Sequence, residues 1–177
     1  MPQAAYVLTG VDVRRIADPE SSRIHILNSF SAPAVKNKTI SHTHGGGIGT
    51  VEYVLPLIEA FQPSFETLGP DLDSMAAVGL VTGNTDTWVF SGAYLRRGAA
   101  KPIASRIIIG GTIAELDEGA HNGAGEEKQV TKHAIRNVTH YERHIEGKQW
   151  LYWDIDQMIF RGPNGDLFAA QRAALGI

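Results

Sequence analysis

Apolar and polar residues alternate with period two over most of this chain, the mark of half-buried strands. Tyr6–Val13 is apolar-rich and runs into the turn cluster Ala17-Asp18-Pro19-Glu20-Ser21-Ser22. Arg23–Phe30 alternates next, with Ile24, Ile26 and Asn28 on one face. Val51, Tyr53, Leu55 and Leu57 alternate with Glu52, Val54 and Pro56, and Phe61, Pro63 and Phe65 alternate with Gln62, Ser64 and Glu66. Pro56 and Pro63 argue against helix and suit strand ends or edges. Thr87–Leu95 and Ile103–Ala114 are rich in β-branched and aromatic residues, and Arg96-Arg97-Gly98-Ala99-Ala100 between them reads as a hairpin connection. Val130–Ile145 is a long strand-like run that leads through a Glu146-Gly147 turn into the aromatic strand Trp150–Trp153. Tight hairpins imply antiparallel pairing.

Two segments carry helix signals. Asp71–Val81 opens on a capping sequence, shows an apolar stripe of Leu72, Met75, Ala76 and Leu80, and is closed by Gly83. Asp166–Leu175 follows Asn164-Gly165 and carries Leu167, Ala170 and Ala174. The expected class is therefore mainly β with one or two short helices, an antiparallel sandwich or barrel-like unit. No repeat or linker divides residues 1–177, which read as one domain. Residues 1–23 and the loops 34–49 and 116–128 are candidates for mobility or assembly, because long loops in compact domains are usually functional or mobile.

Composition narrows the function classes. With 177 residues the chain can bury a real core. The absence of Cys excludes disulfides, thiolate metal sites and Cys nucleophiles. No apolar run is long enough to span a membrane as a helix, and no secretory signal is visible at Met1-Pro2-Gln3. Sixteen Lys and Arg against nineteen Asp and Glu give a net charge of −3, which is no general case for nucleic-acid binding. That balance hides a pattern. Thr39–Leu95 contains no Lys or Arg but holds Glu52, Glu59, Glu66, Asp71, Asp73 and Asp86. Thr87–Ala114 carries Arg96, Arg97, Lys101 and Arg106 without an acid, and Glu115–Glu127 is acidic again through Glu115, Asp117, Glu118, Glu126 and Glu127. Blocks of opposite sign on one small protein suit head-to-tail contacts between copies.

Catalytic and metal signals are weak. His42-Thr43-His44 is a half-site without a nearby carboxylate or a second His motif, and a small β-barrel metal enzyme built on it is the alternative reading. His140, Glu142 and His144 share a strand face, which reads as a polar outer face because Lys132 and Arg136 on it would repel a cation. Gly45-Gly46-Gly47-Ile48-Gly49 lacks the Lys-Ser/Thr end and the following helix of a phosphate loop. No nucleophile-elbow pattern occurs. No enzyme, cofactor or metal site is expected.

From about Ile24 to Ile177 the chain resembles the tail tube proteins of contractile-tailed bacteriophages and of R-type pyocins. Three stretches carry the resemblance. The first is Gly45-Gly46-Gly47 and Val51–Gly69, with a turn at Leu57-Ile58-Glu59 before a second strand and the first helix. The second is Phe90-Ser91-Gly92-Ala93-Tyr94, a basic turn, a strand and the acidic Glu115-Leu116-Asp117-Glu118-Gly119. The third and most specific runs through Tyr141, Ile145-Glu146-Gly147-Lys148, Trp150–Asp156 and Asn164-Gly165-Asp166 to a short helix with Arg172 before Leu175-Gly176-Ile177.

The resemblance implies a structural subunit whose hexameric rings stack into the hollow inner tube of a contractile tail, with sheets of neighbouring subunits joined into one barrel. Implied partners are further copies of itself, the tail sheath, a tape measure protein in the lumen, and the baseplate tube-initiator and tail terminator proteins. Duplex DNA passes through without specific binding, and the chain itself inserts in no membrane. The place is the virion tail, assembled in the host cytoplasm; an R-type bacteriocin or related injection system is the neighbouring reading. A conduit for DNA must not grip phosphates, so Glu59 and at least one of Glu52 and Glu66 are expected at the lumen. The loop with Lys36, Lys38, His42, His44, Gly45, Gly46 and Gly47 is expected to order on stacking. Arg96 and Arg97 are expected to meet Glu115, Asp117 and Glu118 of neighbours.

Overall fold

A computed structural model describes residues 5–43, 45–78, 85–120 and 128–177. Eleven strands and two short helices follow one another along these residues, and every strand pairing is antiparallel. This is the mainly-β, antiparallel class that the alternation predicts. The central strands are β6 (Asp86–Arg96), β7 (Ile103–Asp117) and β8 (Val130–Ile145). β1 (Tyr6–Arg15) lies outside β6, and no strand pairs with its outer edge among the described residues.

β8 is long enough to serve two partners along one edge. Its first residues, Val130–Ala134, pair with β5 (Ser64–Leu68), and its last, His140–Ile145, pair with β9 (Lys148–Asp154). β5 in turn pairs with β2 (Leu27–Ser31), and β9 leads into β10 (Ile159–Gly162) and β11 (Gly165–Asp166). Where the two partners of β8 part, the register with β7 jumps between Gly110 and Thr112, opposite Arg136 and His140. Asn137 lies in this bulge in the left-handed region, φ 49°. The bulge bends the strand and separates two arms.

The β2–β5 arm folds back over the inner face of β6–β8. Phe30 stacks on Phe90 with centroids 3.8 Å apart, and Phe65 sits between Trp88 at 5.4 Å and His133 at 4.6 Å. Below them Phe61 meets Trp153 edge-on at 4.8 Å and Tyr141 at 5.1 Å. Ile107, Ile109, Ile113 and Ile135 complete the core from alternate positions of β7 and β8, as period two requires.

Several expectations change in detail. Residues 23–26 form a turn rather than the start of a strand; Ile24 is exposed, and Arg23 is buried. The first helix, α1, spans only Leu72–Ala76, capped by Asp71, whose side chain accepts from the Ser74 amide. Its buried residue is Ser74, and Leu72 faces solvent, so the expected apolar stripe is not the packing face. Leu80, Val81 and Gly83 of the expected helix lie outside the described residues. The second helix, α2 (Ala169–Leu175), starts later than expected because Asp166 belongs to β11, where it accepts from the Phe168 amide and from Arg172 at 2.6 Å. Arg172 also donates to the Met158 carbonyl at 2.7 Å, fastening α2 to the strand pair. β7 runs through to Asp117, so the acidic segment begins as strand, while Glu126 and Glu127 lie outside the described residues.

Candidate functional site

The largest departure from the sequence reading concerns residues 34–49. Asn37–Thr43 form a strand, β3, paired with β4 (Thr50–Ile58) in a two-stranded sheet of its own. Instead of a tight turn at Leu57-Ile58-Glu59, β4 continues to Ile58, and the Glu59 amide donates to the Lys36 carbonyl at 2.9 Å to close the root of the hairpin. At the tip, Gly45, Gly46 and Gly47 are exposed, and Gly47 has φ 67°, a conformation that a side chain would strain. His44 lies outside the described residues.

Register gives this hairpin two unlike faces. Cross-strand partners point the same way, and Ile40 opposes Tyr53 while His42 opposes Val51. With Leu55 and Leu57 continuing the same parity along β4, one face is apolar and aromatic. Ser41 opposes Glu52, Thr39 opposes Val54 and Thr43 opposes Thr50, whose hydroxyls lie 2.9 Å apart; this second face is mostly hydroxyl and carboxylate. Yet both faces are exposed: Ile40 is 51% accessible on the first and Val54 65% on the second. A two-stranded hairpin alone in water is marginal, and an amphipathic one with an uncovered apolar face is shaped for a partner.

The expected charges fall in separate places. Glu52 lies on the polar face of the hairpin and Glu59 at its root. Glu66 stands apart on β5, where it accepts from Asn28 at 3.1 Å and Ser29 at 2.8 Å and opposes Lys132 in register. The three acids therefore stand on different elements, two on the hairpin and one on β5. Lys36 and Lys38 flank the hairpin root and are exposed. Arg96 ends β6 and Arg97 opens the exposed turn after it, and Glu115 and Asp117 stand at the far end of β7. Fourteen steps of strand, a contour of about 45 Å, separate the two ends of β7. The basic turn and these acids thus lie at opposite ends of β7, with Lys132 opposite Asp117 in register at the acidic end. Some acidic charge is engaged within the chain: Glu115 meets Arg136 at 3.6 Å, and Asp117 accepts from the Gly119 amide at 3.0 Å. Glu118 follows β7 directly and also interacts within the chain.

His140, Glu142 and His144 share the outer face of β8, as their parity predicts. Glu142 accepts from His140 at 3.0 Å and from His144 at 2.6 Å, and the other ring nitrogen of His140 faces Asp154 at 3.2 Å. Burial alone would raise the Glu142 carboxyl; the hydrogen bonds from His144 and His140 outweigh it and hold the group below its ordinary value. Both rings point at one carboxylate instead of at a common vacant point. Among the described residues no three His, Asp or Glu side chains are grouped to hold a metal ion. The same residues include no helix long and apolar enough to cross a membrane.

Two surface features lacked a sequence signal. β3 is a run of Asn, Lys, Thr, Ser and His with one apolar residue, and only its pairing with β4 marks it as a strand. An apolar trough opens where β1, β6, β7, β8 and β9 end, between Tyr6, Tyr94, Ile103, Ile145 and Trp150, residues scattered along the sequence.

A sequence model of the family described as phage tail tube protein FII matches residues 18–176. No curated protein matches the chain in sequence. The match covers both the hairpin and the central sheet, and a self-assembling structural role accounts for exposed apolar surface beside a site-poor interior. The chain belongs to the phage tail tube protein family, whose members are structural virion components that build the tube of the tail.

Proposed function

We propose that this chain is the major tube subunit of a contractile tail. Hexameric rings of it stack head to tail into a hollow inner tube within a sheath, through which DNA leaves for the host. Residues 1–177 act as one folding unit in this reading. The observation that carries it is the amphipathic β3–β4 hairpin, whose Ile40, Val51 and Tyr53 are left exposed by the described residues. Two further features support it. The outer edge of β1 is unpaired by any strand among the described residues, an edge that joining to a neighbour would remove. The basic and acidic ends of β7 suit a heterologous contact that closes around a ring and stays open along the stack.

Further copies of the chain are the first partners; the sheath, a tape measure protein, the tube initiator and the terminator meet the finished tube, which forms in the host cytoplasm. Glu52 and Glu59 are the better lumen candidates, because Glu66 is compensated locally by Lys132, Asn28 and Ser29. A carboxylate-lined wall repels phosphates and lets a duplex slide. Negative-stain microscopy of the purified protein tests the assembly: hollow tubes or six-fold rings are expected, and particles that stay monomeric at every concentration and salt would sink the reading.

A further inference from the structure

His140 stands between two carboxylates on the outer face of the central sheet, with one ring nitrogen toward each. Its Nε2 lies 3.0 Å from Glu142 and its Nδ1 3.2 Å from Asp154. A carboxylate has no proton to give, so both contacts are hydrogen bonds only when both nitrogens carry one and the ring is an imidazolium. A neutral ring has a single N–H and turns a lone pair toward the carboxylate it does not serve. Glu142, held below its ordinary value, stays ionised over the range in which imidazoles titrate. Protonation of His140 therefore decides whether the ring attracts an acid on both sides or on one.

The neighbouring strands hold the ring in place. Gly110 opposes His140 on β7, where a Cβ would come within 3.1 Å of the His140 Cβ. Tyr152 of β9 meets the ring edge-on at 5.3 Å. Arg106 of β7 stands opposite His144, and Arg161 of β10 stands opposite Tyr152, so cations flank the cluster from both sides. The side chains of His140, Glu142, His144 and Asp154 are 13–26% exposed, so water and salt screen them only in part. The two acids depend on His140 unequally. Glu142 lies on the same strand and also accepts from His144 at 2.6 Å and from Gln149 at 3.3 Å. Asp154 ends β9, and its other oxygen accepts from the Gln157 amide at 2.9 Å. Gln157 belongs to the turn 155–158 before β10, and the Met158 carbonyl of that turn accepts from Arg172 of α2 at 2.7 Å. A chain of contacts thus runs from His140 through Asp154 and the turn to α2.

We propose that His140 is a proton-operated clasp, which as the imidazolium ties β8 to the β9–β10 turn through Asp154 and on losing its proton releases Asp154, loosening the turn and the α2 contact behind it. The remaining proton stays on Nε2. That contact is the shorter one, and Glu142, two residues away on the same strand, cannot withdraw, whereas Asp154 at the end of β9 can. The clasp is closed in mildly acid solution and opens as pH rises through the titration of the ring. Opening leaves Asp154 facing a lone pair instead of an N–H, a repulsion that its bond from the Gln157 amide transmits to the turn. Nothing in this device depends on the tube reading above; it is a property of the single chain.

Nitrogen-15 spectra of the labelled full-length chain test the clasp, in solution for subunits or under magic-angle spinning for tubes. Over about pH 5 to 8, the Gln157 amide and the Arg172 guanidinium are expected to shift with the same midpoint as the His140 ring. The neutral ring is expected to carry its proton on Nε2. In Asp154→Asn, whose side-chain oxygen can still accept from the Gln157 amide, the His140 midpoint is expected to fall by about one pH unit. The Gln157 response is expected to vanish in that variant, while the ring of His25, on the exposed turn 23–26, keeps its midpoint. A Gln157 amide that does not follow His140 in the unmodified protein would overturn the proposal, and that measurement needs no variant to fold. A neutral ring protonated on Nδ1, or a His140 midpoint unmoved by Asp154→Asn, would overturn it as well.

Discussion

Arg23 is only 2% exposed although it carries a full charge. It can lie there because Asp71 accepts from its Nε, the Ser21 carbonyl accepts from its Nη1 at 3.1 Å, and its guanidinium covers the Trp88 ring at 5.4 Å. The same carboxylate caps α1 and accepts from the Ser74 hydroxyl, so one residue neutralises a buried cation and starts a helix. Removing one member of a buried pair leaves the other charged and unpaired, typically at 3–5 kcal/mol. Asp71→Ala is expected to lower unfolding stability by about that much. Asp71→Ala combined with Arg23→Met is expected to be less damaging than Asp71→Ala alone, which urea melts of unassembled subunits would show.

His133 adds a pH dependence nearby. Burial disfavours its imidazolium and Arg23 reinforces this, while Asp71 opposes; the net effect holds the ring below its ordinary 6.5. The unfolded chain takes up that proton near 6.5, so the His133 contribution is complete above this pH and is lost as pH falls below it, until the folded ring also ionises. For Asp71, burial pushes the carboxyl up, but Ser74 and Arg23 overcome it and depress the group below 3.8, so its contribution is lost only in stronger acid. His133→Phe keeps the ring stacked on Phe65 and leaves the Thr67 hydroxyl its bond to the Gly69 carbonyl. That variant is expected to show a shallower fall in melting temperature between pH 7 and 5 than the unmodified protein; parallel curves would discard His133 as the source.

At the scale of elements, the β8–β9 hairpin and the β8 bulge show how backbone geometry limits residue choice. Glu146 and Gly147 have φ 52° and 75°, the double left-handed pattern of a type I′ turn. Gly147 adopts it freely and Glu146 does not, so Glu146→Asn is expected to stabilise unassembled subunits by about 0.5–1 kcal/mol, read from urea midpoints. Gly111, opposite the bulge, has no such latitude. A Cβ there would come within 2.7 Å of the Ile135 side chain and 3.0 Å of the Arg136 carbonyl. Gly111→Ala is expected to cost about 1–3 kcal/mol in the same measurement. These elements also mark what a sequence can disclose. β8 and the Glu146-Gly147 turn were legible because alternation and turn chemistry agree. Arg23–Ile26 imitates a strand by alternation, but the pairing of Arg23 with Asp71 far along the chain overrides it. β3 has no alternation to read; its strand identity comes from β4 across the hairpin. The trough joins the ends of five strands, so only the assembled sheet could reveal it.

The whole molecule divides into a packed body and an appended hairpin with opposite relations to solvent. β6, β7 and β8 bury Trp88, Phe90, Ile109 and Ile135 and pair along both edges. β3 and β4 pair only with each other, every residue of β3 is exposed, and the hairpin meets the body near its root, where Ile58 packs against the core. Opening the hairpin therefore uncovers almost no core, and its opening free energy in the lone subunit lies far below that of the body. A neighbour that covers the apolar face would raise it, because the hairpin then cannot open without undoing a buried contact. Amide hydrogen exchange reads both states. In unassembled subunits, residues 37–43 and 50–58 are expected to exchange quickly while Ile107–Ile109 and Ile135 stay protected. In tubes the hairpin amides are expected to slow by orders of magnitude, and those of the central strands to change little. Equal protection of the hairpin before and after assembly would mean that its apolar face is not what holds copies together, and would move the search for the contact to the outer edge of β1.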